Sequence, residues 1–319
     1  MPTETASNKS VVSPGGAGFH IPEGFAALLT AGTDEVFKRG FEFPFEGEMF
    51  YSMQTTQKDT ETFQSVVGLG DIGQNRDADD LPSDEQALGF PHSITTYVFR
   101  GKTGHERRLI EDELYGQVRD NVREMMEGSR RTVEKIMADG VNRGDGATAS
   151  TGAPFLCEDG NYWFDAGRNN PHPHGGTWSN VEATSAITPT SIFTAQLNFA
   201  KHVNERGERD QKNMVKCIVR PDEEVEVFEV KNSDLRPTDA MNAANFQFGR
   251  FEYSTYNLMT TKQIVYMAEG RNEIRGYWRA KPSVVAYTDG NPDVLWQRVR
   301  FRFGIGGLRP DTWRAGVVT

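Results

Sequence analysis

The sequence predicts an α+β protein, and three runs of residues predict it. Residues 112–141 repeat apolar side chains at helical spacing, residues 60–69 and 93–100 are β-prone on either side of a charged stretch, and residues 295–305 alternate as a strand. Thirty-two Gly and fifteen Pro among 319 residues add turns between many short elements.

Residues 1–20 are rich in Ser, Thr and Gly and cannot build a core unaided, which predicts an extended arm. Residues 22–38 read as a short helix, with Pro22 in its first turn, Phe25, Leu28, Leu29, Val36 and Phe37 on one side, and Gly40 as its stop. The run Thr60–Leu69 and the run Ser93–Arg100, the latter continuing towards Leu109–Ile110, predict two long strands. Between them lie Asp71, Asp77, Asp79, Asp80, Asp84 and Glu85, an acidic tip that makes the pair an extended hairpin too polar to be a domain by itself.

The long helix follows at once. Asp112 is its expected N-cap, acidic residues at 111–113 suit the positive end of the helix dipole, and Gly140 and Gly144 mark its exit. Leu114, Val118, Val122, Met125, Val133 and Ile136/Met137 form one apolar stripe, so the helix lies across a sheet or domain face. Gly128-Ser129-Arg130-Arg131 interrupts that stripe, and a bend is expected there. Beyond it, residues 145–185 are loop-rich and aromatic, Thr190–Val203 reads as a helix, and Met214–Arg220 reads as a buried strand. Ser283–Tyr287 and Leu295–Ile305 complete the strands. In the second, Trp296, Arg298, Arg300 and Arg302 take one face, and Val299, Phe301 and Phe303 the other.

Net charge is −10, which argues against a general nucleic-acid-binding surface. The charge is uneven: from residue 271 onward nine basic residues stand against four acidic ones, a net of +5 that leaves −15 for the rest. Two cysteines, Cys157 and Cys217, are no disulfide framework, and neither a signal-peptide core nor a membrane-spanning run is present, so a soluble product of a reducing cytoplasm is expected.

The motifs carry little chemistry. Gly68-Leu69-Gly70-Asp71-Ile72-Gly73 fits a dinucleotide fingerprint, but the acidic, proline-stopped run after it cannot open the helix that would hold a pyrophosphate. Asp77 and Asp79 begin a calcium-loop pattern that fails at Leu81 and Pro82. His172-Pro173-His174, with Asp165 or Glu158 nearby, is the one histidine cluster. It would suit a metal-dependent hydrolase, yet its spacing in a Gly/Pro/Asn-rich loop is not that of a helical metal motif. No catalytic residue, cofactor or metal is assigned.

The order of the parts is more specific than any motif. Arm and short helix, charged hairpin, very long helix, compact α+β region and closing strands resemble the major capsid protein of tailed bacteriophages, the Hong Kong ninety-seven fold. Arg108-Leu109-Ile110-Glu111-Asp112-Glu113-Leu114-Tyr115-Gly116 looks like the strand-to-spine junction of Mu-like head subunits, and residues 299–314 are similar to the closing strands of such proteins. The resemblance implies an N-terminal arm and short helix over 1–45 and an extended hairpin, the E-loop, over 46–108. It further implies a peripheral domain with the spine helix over 109–185, an axial domain over 186–275, and peripheral closing strands over 276–319.

It also implies a non-enzymatic shell subunit that assembles as hexamers and pentamers into an icosahedral head around double-stranded DNA, built in the bacterial host cytoplasm. The expected partners are copies of itself, a separate scaffolding protein, a portal, a possible cement protein and DNA contacted without sequence preference, with no membrane. An encapsulin-like nanocompartment shell is the alternative with the same fold. The assembly candidates are Asp112, Arg298, Arg300 and Arg302 with the tip residues Asp77, Asp79 and Asp80. The basic strand face has two possible counterparts, the acidic tip or the packaged genome.

Overall fold

In a computed structural model, the structure describes residues 34–35, 37–39, 41, 43–67, 87–106, 115–146, 154–169, 177–183, 186–204, 208–210, 212–236, 243–269, 273–288 and 294–317. Its strands run β1 (Ser52–Thr55), β2 (Thr60–Val67), β3 (Ala87–Thr95), β4 (Tyr97–Glu106), β5 (Arg168–Asn169), β6 (Thr177–Trp178) and β7 (Val181–Ala183). They continue as β8 (Met214–Val219), β9 (Glu252–Thr255), β10 (Ile264–Ala268), β11 (Ile274–Thr288), β12 (Val294–Gly307) and β13 (Trp313–Val317). The helices with both ends described, or nearly so, are α1 (Tyr115–Arg143), α2 (Pro189–Ala200) and α3 (Glu224–Asn232).

Two sheets organise the molecule. One has the order β1-β11-β12-β4, the other β7-β13-β10-β8-β9, and β2 with β3 forms a separate two-stranded hairpin. The β-prone run at 93–100 is therefore divided at Thr96. Its first half pairs with β2, Thr60 opposite Thr95, while its second half leaves the hairpin to become an edge of the first sheet, Phe99 opposite Phe301. The closing strands divide in the same way, since β11 and β12 lie in the first sheet and β13 joins the second.

Helix α1 covers the inner face of the first sheet. Val122, Val133, Met137 and Val141 pack in one core with Trp278, Val299, Phe301, Phe303 and Ile305. Its 29 residues extend about 43 Å. It runs two residues beyond the expected end at 141, and Asp112 with the rest of 107–114 lies outside the described residues. The helix is unbroken through Gly128–Ser129. Ser129 is itself buried on the stripe, where its hydroxyl donates to the Met125 carbonyl at 2.8 Å, so the polar interruption is satisfied within the helix rather than by a break. Likewise Phe41 is still helical beyond the stop expected at Gly40.

The second sheet is buried on both faces, which accounts for its continuous apolar runs. In β10, Val265 and Met267 face the α1 core, while Ile264 and Tyr266 face a second core with α2 and α3. In β8, Ile218 faces the first core and Cys217 and Val219 the second, confirming that run as buried. Helix α2 begins one residue before the expected Thr190, because Thr188 caps it. The Thr188 side chain accepts from Ser191 N at 3.1 Å and the Ser191 hydroxyl accepts from Thr188 N at 2.9 Å.

Candidate assembly surfaces

The alternation read in β12 is present in the fold: Val299, Phe301 and Phe303 are buried, Arg298 and Arg300 are exposed, and Trp296 and Arg302 are intermediate. The antiparallel register with β4 sets Arg298 opposite Lys102 and Arg300 opposite Arg100. Two like-charged pairs thus stand directly across from one another on an open sheet face, an arrangement that costs stability unless a counter-charge is supplied. Lys102 Nζ rests 4.4 Å from the Trp296 ring and the Arg298 guanidinium 5.5 Å from the Tyr287 ring. Those rings hold the cations in place without neutralising them. No carboxylate among the described residues pairs with Arg100, Lys102, Arg298 or Arg300.

Arg302 behaves differently from its two neighbours. It forms an ion pair with Asp59, which also takes Arg279 at 2.7 Å, at the base of the hairpin. Other basic residues of the C-terminal section are spent internally as well. Arg314 pairs with Glu182 at 3.0 Å and donates to the Ser179 carbonyl at 2.7 Å, and Arg275 pairs with Glu273 at 2.6 Å. Of the basic residues of that section, Arg298 and Arg300 stay exposed on the strand face beside Arg100 and Lys102.

A second contact region was not legible in sequence. One stripe of α1 holds the segment leading into β1. Glu134 accepts from Glu46 N at 2.6 Å and from Gly47 N at 3.1 Å, and Arg130 donates to the Phe43 carbonyl at 3.0 Å and the Pro44 carbonyl at 3.2 Å. The Arg130 guanidinium also lies 4.9 Å from the Phe45 ring. Burial raises the Glu134 carboxyl above its ordinary range, the two backbone N–H groups pull it back, and Glu46 pushes it up again. Only the charges spaced four apart in a polar stretch hinted at this clasp.

A third region is apolar. On α2, Phe193 and Leu197 point outward one turn apart, and Phe193 meets the Phe246 ring edge-on at 5.3 Å. Phe228 on α3 and Phe248 are each about half exposed, at 53% and 51%.

Asp77, Asp79, Asp80, Asp112, His172, His174 and the glycine motif at 68–73 lie outside the described residues. Asp165, the carboxylate considered beside the histidines, accepts from Gly167 N at 2.8 Å. Among the described residues no group of three or more His, Cys, Asp or Glu is placed to hold a metal ion, and no helix is long and apolar enough to cross a membrane. The buried thiol of Cys157 is pushed up to about 12 by desolvation, and burial raises Cys217 as well, so both are inert.

No family model matches the sequence, and no curated protein matches it. The fold, in contrast, matches solved structures along most of its length. One is from Mycobacterium phage Patience, with a TM-score of 0.58 and 8% identity, covering 92% of this chain and 88% of that one. Another is the asymmetric unit of the mature capsid of bacteriophage PhiM1, with a TM-score of 0.54 and 9% identity over 87% of this chain and 88% of that one. A third is the capsid of cyanophage P-SCSP1u, with a TM-score of 0.52 and 13% identity over 85% of this chain and 86% of that one. The α+β architecture implied by the order of elements is therefore present, and the chain has the fold seen in phage capsids.

Proposed function

We propose that this chain is the major capsid subunit of a tailed bacteriophage, a structural protein many copies of which form the icosahedral head around double-stranded DNA. The observation that carries this reading is the fold match, which covers 85% to 92% of this chain rather than one motif. The surfaces suit it. A cationic sheet face, an outward apolar face on α2 and a hairpin that joins neither large sheet are natural contacts between copies. In this reading the subunits group as hexamers and pentamers, scaffolding, portal and possibly cement proteins complete the head, and assembly takes place in the host cytoplasm. The protein performs no reaction.

The test is expression of the full chain, alone and together with a candidate scaffolding protein, followed by negative-stain microscopy and light scattering. Uniform closed shells are expected. A chain that stays monomeric at every concentration, with scaffold present, refutes the reading. Shells that enclose a cargo enzyme and exclude DNA would assign the same fold to a nanocompartment.

A further inference from the structure

The open face of the first sheet is ordered in rows, and the rows fit one kind of partner. We propose that Tyr287, Trp296, Arg298, Lys102, Arg300 and Arg100 form a binding face for a single nucleic-acid strand, the two rings taking unpaired bases and the four cations taking phosphates. The inference goes beyond the shell reading, in which the nucleic acid is duplex and this face meets another copy. It concerns the free subunit.

The strand register fixes the rows, because residues directly opposite in an antiparallel pair share a face. Tyr287 and Trp296 stand in one row, Arg298 and Lys102 in the next, Arg300 and Arg100 in the third. The side of the sheet away from α1 therefore carries an aromatic row followed by two cationic ones. Successive rows are two residues apart, about 7 Å, a step that consecutive phosphates of an extended strand match. All four cations are exposed, and no carboxylate among the described residues pairs with them. The net charge of −10 over the whole chain does not remove this attraction, since at physiological salt charges more than about 8 Å away are largely screened.

The aromatic row separates a nucleic-acid strand from other polyanions. Gly104 stands opposite Trp296, and a Cβ added there would lie 2.9 Å from Trp296 Cζ3, so the indole spreads over the glycine and across β4. Lys102 Nζ rests 4.4 Å from the centre of that ring, and the Arg298 guanidinium 5.5 Å from the centre of the Tyr287 ring. Each ring thus has a cation of the next row beside it, and a nucleotide stacked on the ring brings its phosphate to that cation. Aromatic side chains and cations together on a flat sheet are a recurring platform for unpaired bases. An acidic peptide would use the cations alone. A duplex keeps its bases stacked on one another, out of reach of the rings.

The test is fluorescence anisotropy of end-labelled oligothymidylate and oligouridylate, each of about ten nucleotides, with the full-length chain held unassembled at low concentration. Both are expected to bind, with log affinity falling against log salt at a slope of about −2 to −3 for three or four phosphate contacts. R298E/R300E sets glutamates opposite Lys102 and Arg100, attractive cross-strand pairs, so its melting temperature should equal or exceed that of wild type. Its affinity should fall by on the order of tenfold or more. R100E/K102E should do the same from the other strand. Trp296→Leu should weaken binding by about fivefold or more and leave the salt slope unchanged, because it removes a stack and no phosphate contact. The proposal is overturned if a duplex of equal length or polyglutamate binds as tightly as the single strands, or if either charge variant binds like wild type. An unchanged affinity in Trp296→Leu overturns the place given to the bases. Shell formation is read separately and bears on the capsid reading alone.

Discussion

Two glycines on α1 should respond in opposite directions to the same substitution. Gly128 faces open space, with nothing within 4 Å of an added Cβ. Gly128→Ala should therefore gain only the helix propensity difference, about 1 kcal/mol. At Gly140 the added carbon would lie 2.7 Å from Trp163 Cη2 and would also strike the Tyr51 hydroxyl. That hydroxyl donates to the Met137 carbonyl at 2.7 Å and is buried. Gly140→Ala gains the same ~1 kcal/mol of propensity but incurs roughly 1–3 kcal/mol of overpacking and roughly 1–3 kcal/mol for a stranded buried phenol. The net is a loss of roughly 1–5 kcal/mol. For a chain of this length unfolding as one unit, 1 kcal/mol moves the midpoint by about 1.5 °C. Calorimetry of the unassembled full chain should then show Gly128→Ala rising by about 1–2 °C and Gly140→Ala falling by about 2–7 °C. A Gly140→Ala midpoint at or above wild type would refute the claim that the close packing of α1 against Tyr51 and Trp163 holds this core.

His202 provides a pH dependence. It is buried edge-on against Trp178 at 4.8 Å, and desolvation, opposed by Asp311 and reinforced by Lys212 and Arg314, lowers its pKa to about 4. The folded state thus keeps it neutral while the unfolded chain binds a proton near pH 6.5, so stability falls as pH drops from about 6.5 towards 4, by up to about 3 kcal/mol. Urea midpoints measured at pH 7 and pH 4.5 should differ more in wild type than in His202→Gln, and equal differences would remove His202 from the account. At the clasp, Glu134→Ala removes the acceptor of the exposed Glu46 N–H and the part-buried Gly47 N–H and should cost roughly 0.5–1.5 kcal/mol. Hydrogen exchange at residues 46–47 should accelerate in that variant; unchanged rates would mean that the 3₁₀ turn at Glu46–Met49 holds without it.

What could be read in advance was whatever has a short period. The alternation of β12 and the stripe of α1 are local repeats forced by strand and helix geometry, and both recur in the fold with the expected buried residues. The joins between distant segments have no such period. β1 pairs in parallel with β11, Ser52 beside Arg275, and β7 with β13, Val181 beside Ala315, and nothing within either strand names its partner. The break at Thr96 was hidden for a related reason. β3 and β4 form one uninterrupted β-prone run, and only the close approach of Thr95 to Gly304 and of Ile94 to Gly306 moves the chain from sheet to hairpin.

The same distinction explains the site. Arg298, Arg300 and Arg302 look equivalent along the strand because all three point the same way. They separate only when β4 and the hairpin base are in place: Arg302 meets Asp59, while Arg298 and Arg300 meet Lys102 and Arg100. A cation paired within its own chain is part of the fold's stability. One that faces another cation is held there at a cost. The like-charged pairs, more than the count of basic residues, therefore set this face apart, and reversing the charge of Arg298 and Arg300 should raise the melting temperature of the subunit; a lower one would refute the repulsion read from the register.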